Sequence, residues 1–428
     1  LAGHSRSGSM IPDQSRECIR ASYWLRTMGN VQAVAEAIAG EQSSGTFIAL
    51  PNESVALRER SAARVEEVAE APDEGNPSLP GSAGEGSPKT YRLTVSWPLA
   101  NVGASLPNLL ATVAGNLFEL RQVAGLKLLD FSVPRAFADA YPGPGFGVAG
   151  TRRLSGVAEG PLIGTIIKPS VGLSVEETAE LVEELCAGGI DFIKDDELQA
   201  DGPSCPFDER ARAVLEVIDR HAQRTGRQVM YAANLTGELD EMRRRHDLVQ
   251  ALGGNCVMLS LNSVGLTGFS AFRKHCSLPI HAHRNGWGYL GRSSDNGFSY
   301  LAWQKFWRIA GVDHMHVNGI RNKFWEDDDS VIASARACLT PMYQDRPLTV
   351  MPVFSSGQTV HQAHDTWRRL GSADLIHCAG GGIVAHPGGV SAGVEALRFA
   401  WDAARSGIPL ETAARSSRSL AQALETFQ

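Results

Sequence analysis

Apolar and polar positions alternate along this chain with two rhythms. In the first third, GTFIAL (45–50) and YRLTVSWP (91–98) have the length and composition of strands. VQAVAEAIAGE (31–41) and LPNLLATVAGNLFEL (106–120) repeat apolar residues at helical spacing. This mixture predicts a small domain of helices packed on a sheet. Residues 70–90, rich in Pro, Gly, Ser and acid, read as a mobile surface excursion of that domain. AYPGPGFGVAG (140–150) reads as a linker.

Beyond the linker the rhythm becomes regular. Apolar runs of buried-strand type occur at 162–168, 190–194, 229–235, 256–261, 278–283, 312–317, 348–354 and 373–379. Helical stretches such as 174–189 and 208–223 lie between them. Eight strand–helix units in roughly 250 residues predict a (β/α)8 barrel.

The bulk properties narrow the function. A length of 428 residues suggests two domains, and 43% hydrophobic residues allow a large core. A formal charge of −7 argues against nucleic-acid binding. No apolar run approaches the roughly 20 residues that span a bilayer, so no membrane partner is expected. Leu1–Ser9 (LAGHSRSGS) reads as a cloning remnant, with the native chain starting near Met10. The seven cysteines are widely spaced and form no CxxC pair, as expected of reduced thiols in a cytoplasmic protein.

Catalytic groups of such barrels sit where strands run into their following loops. Here those positions carry Lys168, then Lys194-Asp195-Asp196-Glu197, then His281, His283 and Arg284, then His314 and His316. The seventh and eighth strands run into Ser355-Ser356-Gly357 and Gly380-Gly381-Gly382, where small residues let backbone N–H groups approach phosphate. Asp196 and Glu197 offer hard oxygen ligands suited to Mg²⁺. Lys194 beside them either neutralises the acids or reacts with CO2 to give a carbamate ligand. Taken alone, the tetrapeptide is equally compatible with a solvated acidic strand end.

GTIIKPSVGLS (164–174), GGIDFIKDDE (188–197), HAHRNGWG (281–288), DHMHVNGIRNK (313–323), PVFSSG (352–357) and AGGGIVAHPGG (379–389) occur in the order of the RuBisCO large-chain motifs. GEQSSGTF (40–47) and AGNLF (114–118) extend the match into the first domain. The chain thus resembles the RuBisCO large-chain family. The resemblance implies a ferredoxin-like α+β domain over 10–145 and a (β/α)8 TIM barrel over 146–428. It implies Mg²⁺ held by a carbamylated Lys194, Asp196 and Glu197. Lys168 would be an acid/base, His283 and His316 would face the substrate, and Arg284 would grip one end of it. Lys323 would ride on the loop after the sixth strand. Ser355, Gly357, Gly381 and Gly382 would bind hydroxyl and phosphate groups. Glu41, Thr46, Phe47 and Asn116 would complete the site of a second subunit, which implies a homodimer or larger homo-oligomer.

Three departures separate the chain from CO2-fixing members. Ser170 stands where the family's strand-one motif has a second lysine, VNGIRNKFWEDDD replaces the glycine-rich lid, and Trp287 stands where carboxylases carry histidine. The implied protein is RuBisCO-like (form IV). The expected activity is Mg²⁺-dependent enediolate formation from a phosphorylated keto-sugar acid. The substrate that best suits this is 3-oxo-isoapionate 4-phosphate, either decarboxylated or transcarboxylated and hydrolysed. Asn285, Asn318, Arg321 and Asn322 favour a hydroxylated, charged substrate. Enolase or isomerase activity of methionine salvage is the alternative, with Trp287, Phe324 and Trp325 as a wall for a thioether. A non-catalytic regulator is the third reading, opposed by the intact Lys194, Asp196 and Glu197.

Overall fold

The computed structural model describes residues 17–44 and 50–427. Contacts divide the chain into two units, Leu1–Ala140 with Asp295–Gly297, and Tyr141–Ser294 with Phe298–Gln428.

The first unit is built on an antiparallel sheet. Cys18–Thr27 pairs with Lys89–Pro98 on one side and Gly125–Ser132 on the other, and Arg64–Ala71 pairs with the far edge of Lys89–Pro98. Asn296–Phe298 flanks Gly125–Ser132. Alternate residues of a strand share a face, and Ile19, Ala21, Tyr23 and Leu25 are accordingly buried together. The helix Val31–Glu41 begins where the Asn30 side chain accepts from the Ala33 N–H, and it buries Val34, Ala35 and Ile38. Leu106–Ala114 buries Leu106, Leu109 and Val113. The order of strands and helices along the chain, with this sheet order, is the ferredoxin-like arrangement.

The helix expected over 106–120 breaks at Gly115, where a Cβ would stand 2.3 Å from the Ala111 carbonyl oxygen, and resumes as a 3-10 turn over Asn116–Glu119. The excursion expected over 70–90 is tied down: Leu79 N–H donates to Ala124 O at 2.9 Å and Ala83 N–H to Arg121 O at 2.6 Å. The strand expected over 45–50 lies, apart from Leu50, outside the described residues.

The second unit is a closed barrel of eight parallel strands. In chain order they are Leu162–Ile166, Phe192–Lys194, Met230–Asn234, Cys256–Ser260, Ile280–His283, His314–His316, Met351–Phe354 and Ile376–Cys378. The last strand closes onto the first through Ile376 beside Leu162. Inward positions fill the barrel with Leu162, Phe192, Met230, Met258, Met351 and Ile376. The first crossover helix, Val175–Ala187, starts with a capping box between Ser174 and Glu177. At the start of the sixth strand, the buried Asp313 carboxylate accepts the N–H groups of Phe146, Gly147 and Ile280, which fixes how the chain enters the barrel.

Cys186, Cys205, Cys256, Cys276, Cys338 and Cys378 are buried free thiols, as their spacing suggested. No helix of the described residues is long and apolar enough to cross a membrane.

Candidate active site

The ends of the first two barrel strands bring opposite charges into contact. Lys168 Nζ donates to Asp196 Oδ2 at 2.6 Å and to Ser170 Oγ at 2.7 Å. Burial pushes the Asp196 carboxyl up, but the Lys168 hydrogen bond, the Leu198 N–H and the nearby lysine charges outweigh it and hold the group below the ordinary value. Lys194 is fully buried; its Nζ donates to the Asp195 carbonyl at 2.7 Å and lies 4.0 Å from Glu197 Oε2. Burial lowers the Lys194 pKa against the opposing pull of the acids around it. Asp195 turns the other way: it accepts from Tyr231 Oη at 2.6 Å and from the Asn234 N–H at 2.9 Å, and pairs with Arg210 at 3.3 Å. The adjacent acids therefore divide the work. Asp195 braces the barrel wall, and Asp196 with Glu197 faces the lysines.

The next strands continue the surface. Glu197 Oε2 lies 3.5 Å from His283 Nε2. The rings of His283 and His316 stand 4.5 Å apart, and His316 Nδ1 meets Ser355 Oγ at 3.0 Å. Burial pushes His283 down to about 3 and His316 well below its ordinary value, so both rings are neutral. Gly357 has φ 78°, the left-handed conformation that glycine adopts without strain, and a Cβ there would contact Lys323 at 3.7 Å. The two loop glycines after the eighth strand differ. A Cβ on Gly382 would stand 2.5 Å from the Gln358 carbonyl oxygen, whereas Gly381 faces open space. Lys168, Lys194, Asp196, Glu197, His283, His316, Ser355, Gly357 and Lys323 thus form one continuous string at the carboxyl ends of the strands.

Arg284 is placed differently from a free phosphate grip. It is buried against Tyr300, and its Nη2 donates to the buried Glu326 at 2.8 Å. Its buried Nη1 has no hydrogen-bond partner among the described residues, so one edge is neutralised and the other remains available. Asn318, Arg321 and Asn322, read from sequence as contacts for hydroxyls and charge, are bonded to groups of the protein itself. Asn318 donates to Glu326, Arg321 pairs with Asp365, and Asn322 donates to the carbonyls of Gly319 and Glu326. The three residues of the alternative apolar wall differ in burial. Trp287 is buried against Tyr300 and Trp303, while Phe324 and Trp325 are exposed.

In the first unit, Asn116 Nδ2 donates to Glu41 Oε1 at 3.4 Å, so these two predicted residues come together. Thr46 and Phe47 lie outside the described residues. Sequence reasoning missed Glu326, Asn234 and Thr151. Glu326 is hidden at the head of an acidic run, while Asn234, at the end of the third strand, had the strand-end position as a signal. A second group of possible metal ligands, His246, Asp247 and His275, lies on the helical layer. There the Ser277 N–H donates to His246 Nε2 at 3.1 Å, which leaves Nδ1 protonated toward Asp247, a clamp and not a ligand set.

The profile of the ribulose bisphosphate carboxylase large chain, catalytic domain, matches residues 147–427, and that of the N-terminal domain matches residues 25–137. The chain belongs to the RuBisCO large-chain family. It is 58% identical over 95% of its length, and 99% of the relative's, to a 3-oxo-isoapionate-4-phosphate transcarboxylase/hydrolase of Xanthobacter autotrophicus. It is 43% identical over 96% of its length, and 98% of the relative's, to a 3-oxo-isoapionate-4-phosphate decarboxylase of Rhizobium etli. Among solved structures, a rubisco-like protein from Burkholderia fungorum superposes with a TM-score of 0.90 at 44% identity, covering 96% of this chain and all of that one. The RuBisCO-like reading of the motifs is thereby borne out, as is a ferredoxin-like domain followed by a (β/α)8 barrel.

Proposed function

We propose that this RuBisCO-like chain is an enzyme that transcarboxylates and hydrolyses 3-oxo-isoapionate 4-phosphate, with an enediolate as the shared intermediate. The observation that carries this reading is the string from Lys168 to Ser355, lying in a chain 58% identical to an enzyme named for that reaction. The identity to the decarboxylases is lower, at 43%. The methionine-salvage alternative needs an apolar receptacle for a thioether, and one of its three candidate residues, Trp287, is engaged with Tyr300 and Trp303.

The donor set fits a divalent metal. Asp196 and Glu197 bring two carboxylates to one rim, and the buried Lys194 amine, easily deprotonated, can add to CO2 with loss of one proton to give a carbamate. Lys194 as carbamate, Asp196 and Glu197 would hold Mg²⁺. When bound, Mg²⁺ supplies positive charge that stabilises negative charge developing on substrate oxygens. The CO2 lost from the β-keto acid adds back to the neighbouring carbon of the enediolate, water then attacks the keto group and the C–C bond breaks. Lys168 Nζ, 37% exposed along its side chain, carries the proton that the leaving carbon takes up. The neutral His283 and His316 orient the substrate's oxygens without competing for the metal charge. Arg284 Nη1, Lys323, Gly357 and Gly381 receive the phosphate end, while Ser355 meets a hydroxyl and Gly382 keeps the loop close to Gln358. Glu41, Thr46, Phe47 and Asn116 of a second copy would close the site in a homodimer.

Side-by-side assays test the reading. Turnover of 3-oxo-isoapionate 4-phosphate without net CO2 release is expected, with little enolisation of 2,3-diketo-5-methylthiopentyl 1-phosphate. Stoichiometric CO2 release would move the protein to the decarboxylases, and preference for the thioether compound would sink the substrate assignment.

A further inference from the structure

A row of hydrogen bonds runs through the barrel from the helix Gly147–Ser155 to the site. Thr151 Oγ1 donates to the Gly147 carbonyl at 2.5 Å and also meets His314 Nε2 at 2.9 Å. His314 Nδ1 meets His281 Nδ1 at 3.3 Å, and His281 Nε2 meets His316 Nε2 at 2.7 Å. His316 Nδ1 meets Ser355 Oγ at 3.0 Å. Thr151, His314 and His281 are fully buried, and His316 and Ser355 nearly so.

We infer that Thr151 is a positioning residue that fixes the tautomer of His316 and makes Ser355 an acceptor for a substrate hydroxyl. A carbonyl only accepts, so the single Thr151 hydroxyl proton is committed to Gly147. Toward His314 the Thr151 oxygen must then accept, which places the His314 proton on Nε2. Burial keeps His314, His281 and His316 neutral, so each ring has one N–H and one bare nitrogen. His314 Nδ1 is therefore bare, and His281 donates to it from Nδ1. His281 Nε2 is then bare, and His316 donates to it from Nε2. That leaves His316 Nδ1 bare, and the Ser355 hydroxyl donates to it. Every ring nitrogen of the row is satisfied in one direction only. With its proton spent on His316, Ser355 offers lone pairs to the site and suits a donor, a substrate hydroxyl, better than a phosphate oxygen.

The polarity of the row does not depend on the proposed substrate; only the kinetic arm of the test rests on that reading. In ¹⁵N-histidine-labelled protein, ring ¹⁵N shifts distinguish protonated from bare nitrogens. The expected wild-type pattern is Nε2–H for His314, Nδ1–H for His281 and Nε2–H for His316; a His316 protonated on Nδ1 overturns the proposal. Thr151→Val keeps the shape but removes the anchor. It should give His316 a population protonated on Nδ1 and raise KM about tenfold with kcat little changed, the loss of one neutral hydrogen bond. Thr151→Ser should restore the wild-type tautomers and KM. Wild-type tautomers in folded Thr151→Val refute the role of Thr151. If that variant does not fold, the wild-type pattern still decides the direction of the row. Absence of turnover with wild-type tautomers counts against the substrate alone.

Discussion

The fifth and sixth barrel strands bring four histidines to the site, whereas the first and second bring two lysines and two carboxylates. The histidines His281, His314 and His316 form a closed relay in which each nitrogen has a partner. Burial holds His314 at about 3, so no net charge has to be compensated there. On the other side, Lys168 leans on Asp196 and Ser170, Lys194 on its neighbour's carbonyl, and Glu197 reaches His283 only at 3.5 Å. Neutral groups can satisfy one another completely inside a protein. On the charged side Lys194 and Asp196 are buried too, so each charge there depends on its neighbours, Lys168 on Asp196 above all. The barrel thus sets a neutral wall beside a charged one.

Lys168→Met attacks the charged wall most directly. Loss of the proton-carrying ammonium should lower kcat by about 10³-fold, within the usual range for a general acid, with the fold unchanged by circular dichroism. The boundary between the walls is probed by Glu326→Ala, which strands the buried Arg284. Urea denaturation should show a cost of about 3–5 kcal/mol, with most of it recovered in an Arg284→Met/Glu326→Met double variant. Ser170→Ala removes one of the two Lys168 partners and should change kcat by about tenfold or less, since Asp196 still holds the ammonium.

The smallest effect is on pH. His314 and His377 are both held at about 3 in the fold, against about 6.5 when unfolded. Between these values the unfolded chain binds more protons, so stability falls as the pH is lowered through about 6.5 toward 3. The urea midpoint should drop between pH 7.5 and 5.5, and His377→Gln should flatten that slope slightly. A slope of the opposite sign would mean that these histidines are charged in the fold.

The barrel was legible because its strands are continuous apolar runs, and the strand-end position marked Lys168, Lys194, His283 and His316. Cys18–Thr27, Arg64–Ala71 and Gly125–Ser132 were not read, although they build the first unit's sheet. In RVEEVAEA (64–71) neither face is deeply buried, so no clear period of two survives in the sequence. The chemistry of single residues was readable, but partnerships were not. Nothing in HAHRNG predicts that Arg284 spends one edge on Glu326, because that carboxylate comes from another loop. Trp287 resembled a pocket residue until the rings of Tyr300 and Trp303 claimed it. Asp195 and Asp196 are adjacent acids just past the strand Phe192–Lys194, and their opposite roles follow from their partners, Arg210, Tyr231 and Asn234 for the one and Lys168 for the other.

Lys194, Asp196 and Glu197 are proposed as a CO2- and Mg²⁺-dependent site. Incubation with ¹³C-bicarbonate and Mg²⁺, followed by ¹³C NMR, tests it directly. The account predicts one carbamate carbon per chain in the wild type, lost in Lys194→Met and weakened when Mg²⁺ is chelated. A wild type without that signal, or a signal persisting in Lys194→Met, would contradict it.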